Sequence, residues 1–188
     1  MDHDQDSGVF RYQLDQTDTI VHVSDNWNAF AGENDWQGAL SADRVVGHSL
    51  WMFIQDPDTR QIYQELFKRV RKSGQPLKLP FRCDAPHERR YLELIIAPLP
   101  EAHIQITSRI LRTTGRPPVA LLDPSVPRSS ELVTLCSVCK KMKLPGDKWV
   151  ELEEGINRLA PFEGGLMPQV THGLCRGCYD AAMALLEE

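Results

Sequence analysis

The sequence predicts an α+β fold in two parts: a five-stranded antiparallel sheet with helices, then a smaller module built around cysteines. Three observations carry this. Several runs between residues 9 and 111 alternate apolar and polar side chains with period two. One stretch, residues 57–73, instead repeats its apolar residues at helical spacing. Four of the five cysteines fall into two C-x-x-C pairs, both beyond residue 130.

Taken in order, residues 1–8 (MDHDQDSG) are polar and acidic and read as a disordered start. FRYQL and TIVHVS follow as two strands joined by a turn at Asp15–Asp18. DNWNAFAGEN suggests turns and short helical pieces. A longer helix then begins at Pro57, which suits the first helical position, with Asp56 as its cap. Ile62, Leu66 and Val70, flanked by Tyr63 and Phe67, form one apolar stripe, and Gly74 can end the helix in the left-handed region. Three alternating runs follow: Leu77, Leu79, Phe81 and Cys83; Leu92, Leu94 and Ile96; Ile104, Ile106 and Ile110. Each reads as a strand with one buried face. Residues 112–128 hold Pro117, Pro118, Pro124 and Pro127, which rule out regular structure, so they read as a semi-rigid linker. The domains expected are therefore 9–111 and 129–188.

Composition narrows the function. At 188 residues the chain has room for one domain or two small ones, but not for a sensor plus a kinase or cyclase domain. A net charge of −5 argues against broad nucleic-acid binding, which needs cations to meet phosphates. No apolar run approaches the length that spans a bilayer, and the acidic start does not read as a signal peptide, so a cytoplasmic protein without a membrane partner is expected. Cysteine pairs in that compartment bind metal more often than they form disulfides.

The order of elements over residues 9–111 resembles a PAS domain. The stretch VVGHSLWMFIQDPDTRQIYQELFKRV, residues 45–70, is similar to the family's pattern, in which Gly opens a short helix and a Pro-Asp pair starts the next. IVHVSDNWNAFAG, residues 20–32, resembles its second strand and first helix. The resemblance implies a five-stranded sheet cupping a cavity that senses ligands or partners, and a homodimer. Flavin-binding light sensors of the family carry a reactive Cys in the region matching residues 47–55; GHSLWMFIQ has none. Haem-binding relatives often place a His on the long helix; residues 57–73 have none, and His22, His48 and His103 lie outside it. The PAS ligand is thus left open. Cys83 reads as a small inward hydrophobe, with a sensor thiol as the sharper alternative. Trp27, Trp36 and Trp51 read as core packing or partner contact.

Cys136-Ser-Val-Cys139 and Cys175-Arg-Gly-Cys178 form the most specific motif. A C-x-x-C turn presents two sulfurs to one ion, and two such turns complete the tetrahedron that zinc prefers. Zinc is the metal expected, in a structural role, although four thiolates also suit an iron–sulfur cluster. Tyr179, Ala182, Met183 and Leu186 keep helical spacing, which would place the second pair at a helix N-terminus whose dipole favours thiolates. Knuckle, hairpin and knuckle-plus-helix describe a treble-clef-like zinc module. His172 stands three residues before Cys175 and reads as a neighbour of the site, since four cysteines already satisfy zinc. A region this small buries a marginal core, so its folding is expected to depend on metal, with the first half spared by its loss. CSVCKKMK at 136–143, Trp149 with Glu151–Glu154, and THGLCRGC at 171–178 resemble a tail attached to bacterial PAS and other signalling proteins. The stretch LAPFEGGLMPQ departs from it, and FEGGLM reads as a turn.

The expected function is a cytoplasmic signal-transduction module. The PAS-like half senses a ligand or partner, and the zinc module mediates association with a protein partner. No nucleophile–base pair, Walker loop or Gly-x-Gly-x-x-Gly is present, so no enzyme is expected. Two alternatives stay open: a nucleic-acid regulator acting through Lys140, Lys141 and Lys143, and a thiol redox switch. Residues 132–188 hold six basic against eight acidic residues, which weighs against the first.

Overall fold

The structure, a computed structural model, describes residues 8–33, 40–158 and 166–187. The expected disordered start, Trp36 and most of the FEGGLM turn lie outside these residues.

The first half begins with β1 (Val9–Leu14) and β2 (Ile20–Val23). The turn between them is built by Asp15, whose carboxylate accepts N–H groups from Thr17 and Thr19 at 2.8 and 3.0 Å. Two short helices follow, α1 (Trp27–Glu33) and α2 (Ala42–Val45), then a 3-10 turn at Leu50–Met52. Gly47, at φ 83°, supplies the left-handed step before that turn, a conformation a side chain would oppose. The long helix α3 spans Pro57–Ser73. Asp56 caps it by accepting Thr59 N–H at 2.7 Å, and Gly74 ends it at φ 65°. Strands β3 (Leu77–Arg82), β4 (Glu88–Pro98) and β5 (Ile104–Gly115) complete an antiparallel sheet of order β2-β1-β5-β4-β3. This is the five-stranded α+β arrangement that the alternation predicts, in the element order that the PAS resemblance implies.

Register explains the core. Leu14 faces Ile104, Tyr12 faces Ile106, and Ile96 pairs with Ile106, so one face of the sheet is a continuous apolar surface. Helix α3 lays Ile62, Leu66, Phe67 and Val70 on it, all buried. Trp51 packs on Phe67 with ring centroids 5.7 Å apart and donates its indole N–H to Asp18, while Trp27 donates to the Leu40 carbonyl. Both are core residues with satisfied polar edges.

The second half contains β6 (Arg128–Cys136), β7 (Met142–Leu144), β8 (Lys148–Val150), α4 (Leu152–Arg158), β9 (Met167–Gly173) and α5 (Arg176–Glu187). Its sheet has the order β8-β7-β6-β9, with β6 and β9 parallel. The hairpin and the helix after the second knuckle follow the sequence reading. Helix α4 and the parallel strand β9 add to it, because a parallel pair is joined by a long crossover whose partner strand leaves no local signal.

The proline-rich stretch is more than a spacer. Strand β5 runs to Gly115, and after Pro117 and Pro118 the side chains of Val119 and Leu121 are buried in the second core with Val133, Leu135, Met142 and Leu152. The prolines stop the sheet, but two apolar residues between them still gain by leaving water.

Helix α5 makes the larger departure. Its apolar stripe, Tyr179, Ala182, Met183 and Leu186, joins the core of the first half, packing towards α3. A charged cluster also crosses the junction. Asp84, almost wholly buried, sits between Arg82 and Arg116; Arg82 reaches Glu151 at 2.9 Å, and Arg89 reaches Glu153 at 2.6 Å. Buried charges hold only when paired like this. Loss of the cysteine site is therefore expected to loosen both halves, where the sequence alone suggests that the first would be spared.

Candidate metal centre

The first knuckle grows from the end of β6. Cys136 closes the strand, and its N–H donates to the Lys141 carbonyl at 2.8 Å, folding residues 136–141 into a tight loop. Lys140 takes the left-handed conformation, φ 60°, to close it. The second knuckle begins at the end of β9. Cys175 precedes α5, and Cys178 lies in its first turn, where the helix dipole favours negative charge. Since β6 and β9 are parallel neighbours, with Cys136 opposite Gly173, both knuckles leave the sheet at the same end.

All four predicted sulfurs meet. The Sγ atoms of Cys136, Cys139, Cys175 and Cys178 lie within 4.8 Å of one another. Cys139 Sγ and Cys175 Sγ, from different knuckles, are 3.7 Å apart. A tetrahedron with metal–sulfur bonds of about 2.3 Å has sulfur–sulfur edges of about 3.8 Å, so the donor set fits a zinc-sized ion. No cysteine forms a disulfide. Cys136 and Cys175 are buried, and Cys139 and Cys178 are half-buried. His172 is not part of the cluster.

The electrostatics explain why a cation suits the site. Cys136 accepts from the Cys139 thiol and from the backbone N–H groups of Cys139, Cys175 and Val138, which together pull its pKa well down against the effect of burial. The Cys139 thiol, donor in that bond, is pushed up. Cys178 is raised to about 12 by burial, the charge of Cys136 and a bond with Cys175. One thiolate thus opposes the next. A divalent cation reverses this repulsion and lets all four ionise.

The residues between the ligands tie the centre to the first half. Val138 O accepts the Arg82 N–H at 2.7 Å, and the hydroxyls of Ser137 and Thr59, the latter buried in the first turn of α3, are 3.0 Å apart. The sequence carries no sign of these bonds, because Ser137 and Val138 are ordinary residues whose partners lie far away in the chain. Lys140 Nζ donates to the Ser137 carbonyl at 3.0 Å, and burial, first among its influences, lowers its pKa. Lys143 pairs with Asp147 and stands over the Trp149 ring. Two of the three lysines considered for nucleic acid are thus engaged locally.

Cys83 lies just past β3, outside both apolar clusters. Burial raises its pKa, and the charges of Lys140 and Arg90 oppose that rise. It is half-buried beside charged groups at the junction, a different setting from the inward apolar face expected of it. His22 and His48 are exposed, and His103 Nδ1 lies 3.2 Å from the Glu101 carbonyl.

No protein-family model and no curated protein matches the chain. Among solved structures the chain is similar to a domain of an HTR-like protein from Haloarcula marismortui, at 19% identity over 55% of this chain and 98% of that one, TM-score 0.36. It is also similar to the photoactive yellow protein domain from the sensor histidine kinase Ppr of Rhodospirillum centenum, at 15% identity over 57% and 96%, TM-score 0.41. Among the described residues, no helix is long and apolar enough to cross a membrane.

Proposed function

We propose that the chain is a cytoplasmic signal-transduction module without enzymatic activity. Its first half receives a ligand or partner. Its second half, organised by one structural zinc, presents the surface for a protein partner, and the working form is a homodimer. The convergence of four thiols from two knuckles within 4.8 Å carries the metal part of this reading. Four cysteines fill the shell of zinc and leave no open position for substrate, which supports a structural role. When bound, zinc would neutralise the thiolates and fix the knuckles. The chain's own part is to hold the sulfurs through the β6–β9 pair and to anchor Ser137 and Val138 on α3 and β3.

The test is elemental analysis with an absorption spectrum on protein purified anaerobically. One zinc per chain in a colourless sample is the expected result. Iron and sulfide with a visible band would replace zinc by a cluster, and no metal at all would overturn the metal-centre reading. Sedimentation of the same sample tests the homodimer: a monomer at micromolar concentration would remove it.

A further inference from the structure

The two halves enclose a cleft of about 900 Å³. The first half contributes Tyr12 and Tyr63 and the apolar side chains of Phe53 and Ile54; the cysteine module contributes Lys140 and His172. Neither half forms the cavity alone, and the volume lies within the range of small-molecule sites, which favour such junctions.

Four side chains of this cleft, Tyr12, Tyr63, Lys140 and His172, can donate hydrogen bonds; Asp56, also in its lining, is the acidic exception, and its carboxylate is engaged by the Thr59 N–H as the cap of α3. Tyr12 and Tyr63 carry phenol hydroxyls that, among the described residues, have no hydrogen-bond partner. Burial pushes the Tyr63 phenol up to about 12, and burial with the neighbouring Tyr63 phenol pushes Tyr12 further. Their rings pack edge-on to Trp27 and Phe67, so the aromatic bodies are held while the hydroxyls stay unanswered. Both tyrosines are half-buried and line the cleft, so an occupant could meet their hydroxyls in place of water. The imidazole of His172 likewise makes no hydrogen bond among the described residues. Lys140 uses a single donor on Ser137 O, with two N–H groups to spare. All four side chains can donate, and Phe53, Ile54 and Val170 supply the apolar part of the wall.

We propose that this cleft binds a small molecule with an apolar body and an oxygen-rich acceptor group, a carboxylate or sulfonate, which the two phenols and Lys140 recognise. The site would supply the input of the sensory reading above and rests on that reading only for its biological consequence. Because one wall carries Ser137 and Lys140 of the first knuckle, an occupant would brace the metal module against α3.

The test uses the full chain as purified, with zinc content measured on every sample. 8-Anilinonaphthalene-1-sulfonate is titrated and followed by fluorescence, beside N-phenyl-1-naphthylamine, which has the same rings without the sulfonate. Saturable binding of the sulfonate at one site per chain is expected. Y12F and Y63F keep the rings and lose only the hydroxyls, and Y12F/Y63F should weaken sulfonate binding by about tenfold or more, since hydrogen bonds to a charged group are the stronger kind. Binding of the neutral dye and the circular dichroism spectrum should not change. Absence of saturable binding by the parent chain, unchanged sulfonate affinity in Y12F/Y63F, or an equal loss of the neutral dye would each overturn the proposal. A chain without zinc that still binds the sulfonate through these tyrosines would defeat the metal reading and leave this one standing.

Discussion

Asp84 shows how much can rest on one side chain. It is almost wholly buried, and its carboxylate meets both Arg82 and Arg116. Asp84→Asn would leave two buried guanidinium groups short of a counter-charge. The expected loss is about 3–5 kcal/mol, the scale for breaking a buried pair from one side, read as a fall in the urea midpoint. Asp56 is a milder case. It caps α3 from a half-exposed position, so Asp56→Ala should cost about 1 kcal/mol in the same measurement. The contrast follows from solvent: water can replace a lost cap but cannot reach Asp84.

At the scale of elements, Gly155 and helix α5 are the informative cases. Helix propensity alone favours Ala over Gly at position 155 by about 1 kcal/mol. A Cβ there, however, would stand 2.6 Å from Met142 Sδ and 2.9 Å from its Cβ, because α4 lies directly on β7. Met142 is fully buried and its Cβ is fixed by the strand, so overpacking decides the sign. Gly155→Ala should destabilise by about 1–3 kcal/mol in thermal melts. For α5, replacing Cys175 and Cys178 by Ser removes the anchor of a helix whose stripe lies in the first core. The expected outcome is a lower melting temperature followed by tryptophan fluorescence in a Trp149→Phe background, where the remaining tryptophans, Trp27 and Trp51 among them, all belong to the first half. A melt in which those tryptophans keep their parent midpoint would show that α5 docks without its knuckle.

At the scale of the molecule, the junction should make the two halves unfold together and should give stability an acid-sensitive part. Burial tends to raise the Glu153 pKa, but the hydrogen bond and charge of Arg89, with Arg116 behind it, bring it below its ordinary value. A carboxylate depressed by folding stabilises the protein above its unfolded pKa, and that contribution fades as pH falls through the lower folded value. The difference in stability between the parent chain and Glu153→Gln should therefore be present at pH 7, about 1 kcal/mol for this partly exposed pair, and close below pH 4.5. Denaturant melts at stepped pH measure it. A gap that persists unchanged at pH 3 would place the effect in packing rather than charge. Removing metal with a chelator at neutral pH should lower the midpoint of the whole chain in one transition.

Local pattern alone determined a large part of this protein. The five strands, the span of α3 with its Asp56 cap and Gly74 stop, and the four cysteines are each read from residues within a few positions of one another. Hydrophobic period, capping and knuckle geometry are short-range physics. Only the tertiary structure decided what lies between these elements: the parallel pairing of β6 with β9, Val119 and Leu121 drawn into the second core, and the stripe of α5 turned towards α3. It also decided that Cys83 sits among charges and that Tyr12, Tyr63, Lys140 and His172 face one cleft. An apolar stripe says that a helix must be covered but not by which surface, and a charge does not name its counter-ion across the chain. Those choices depend on which surfaces meet when both cores close, and that is set by the packing of the whole molecule.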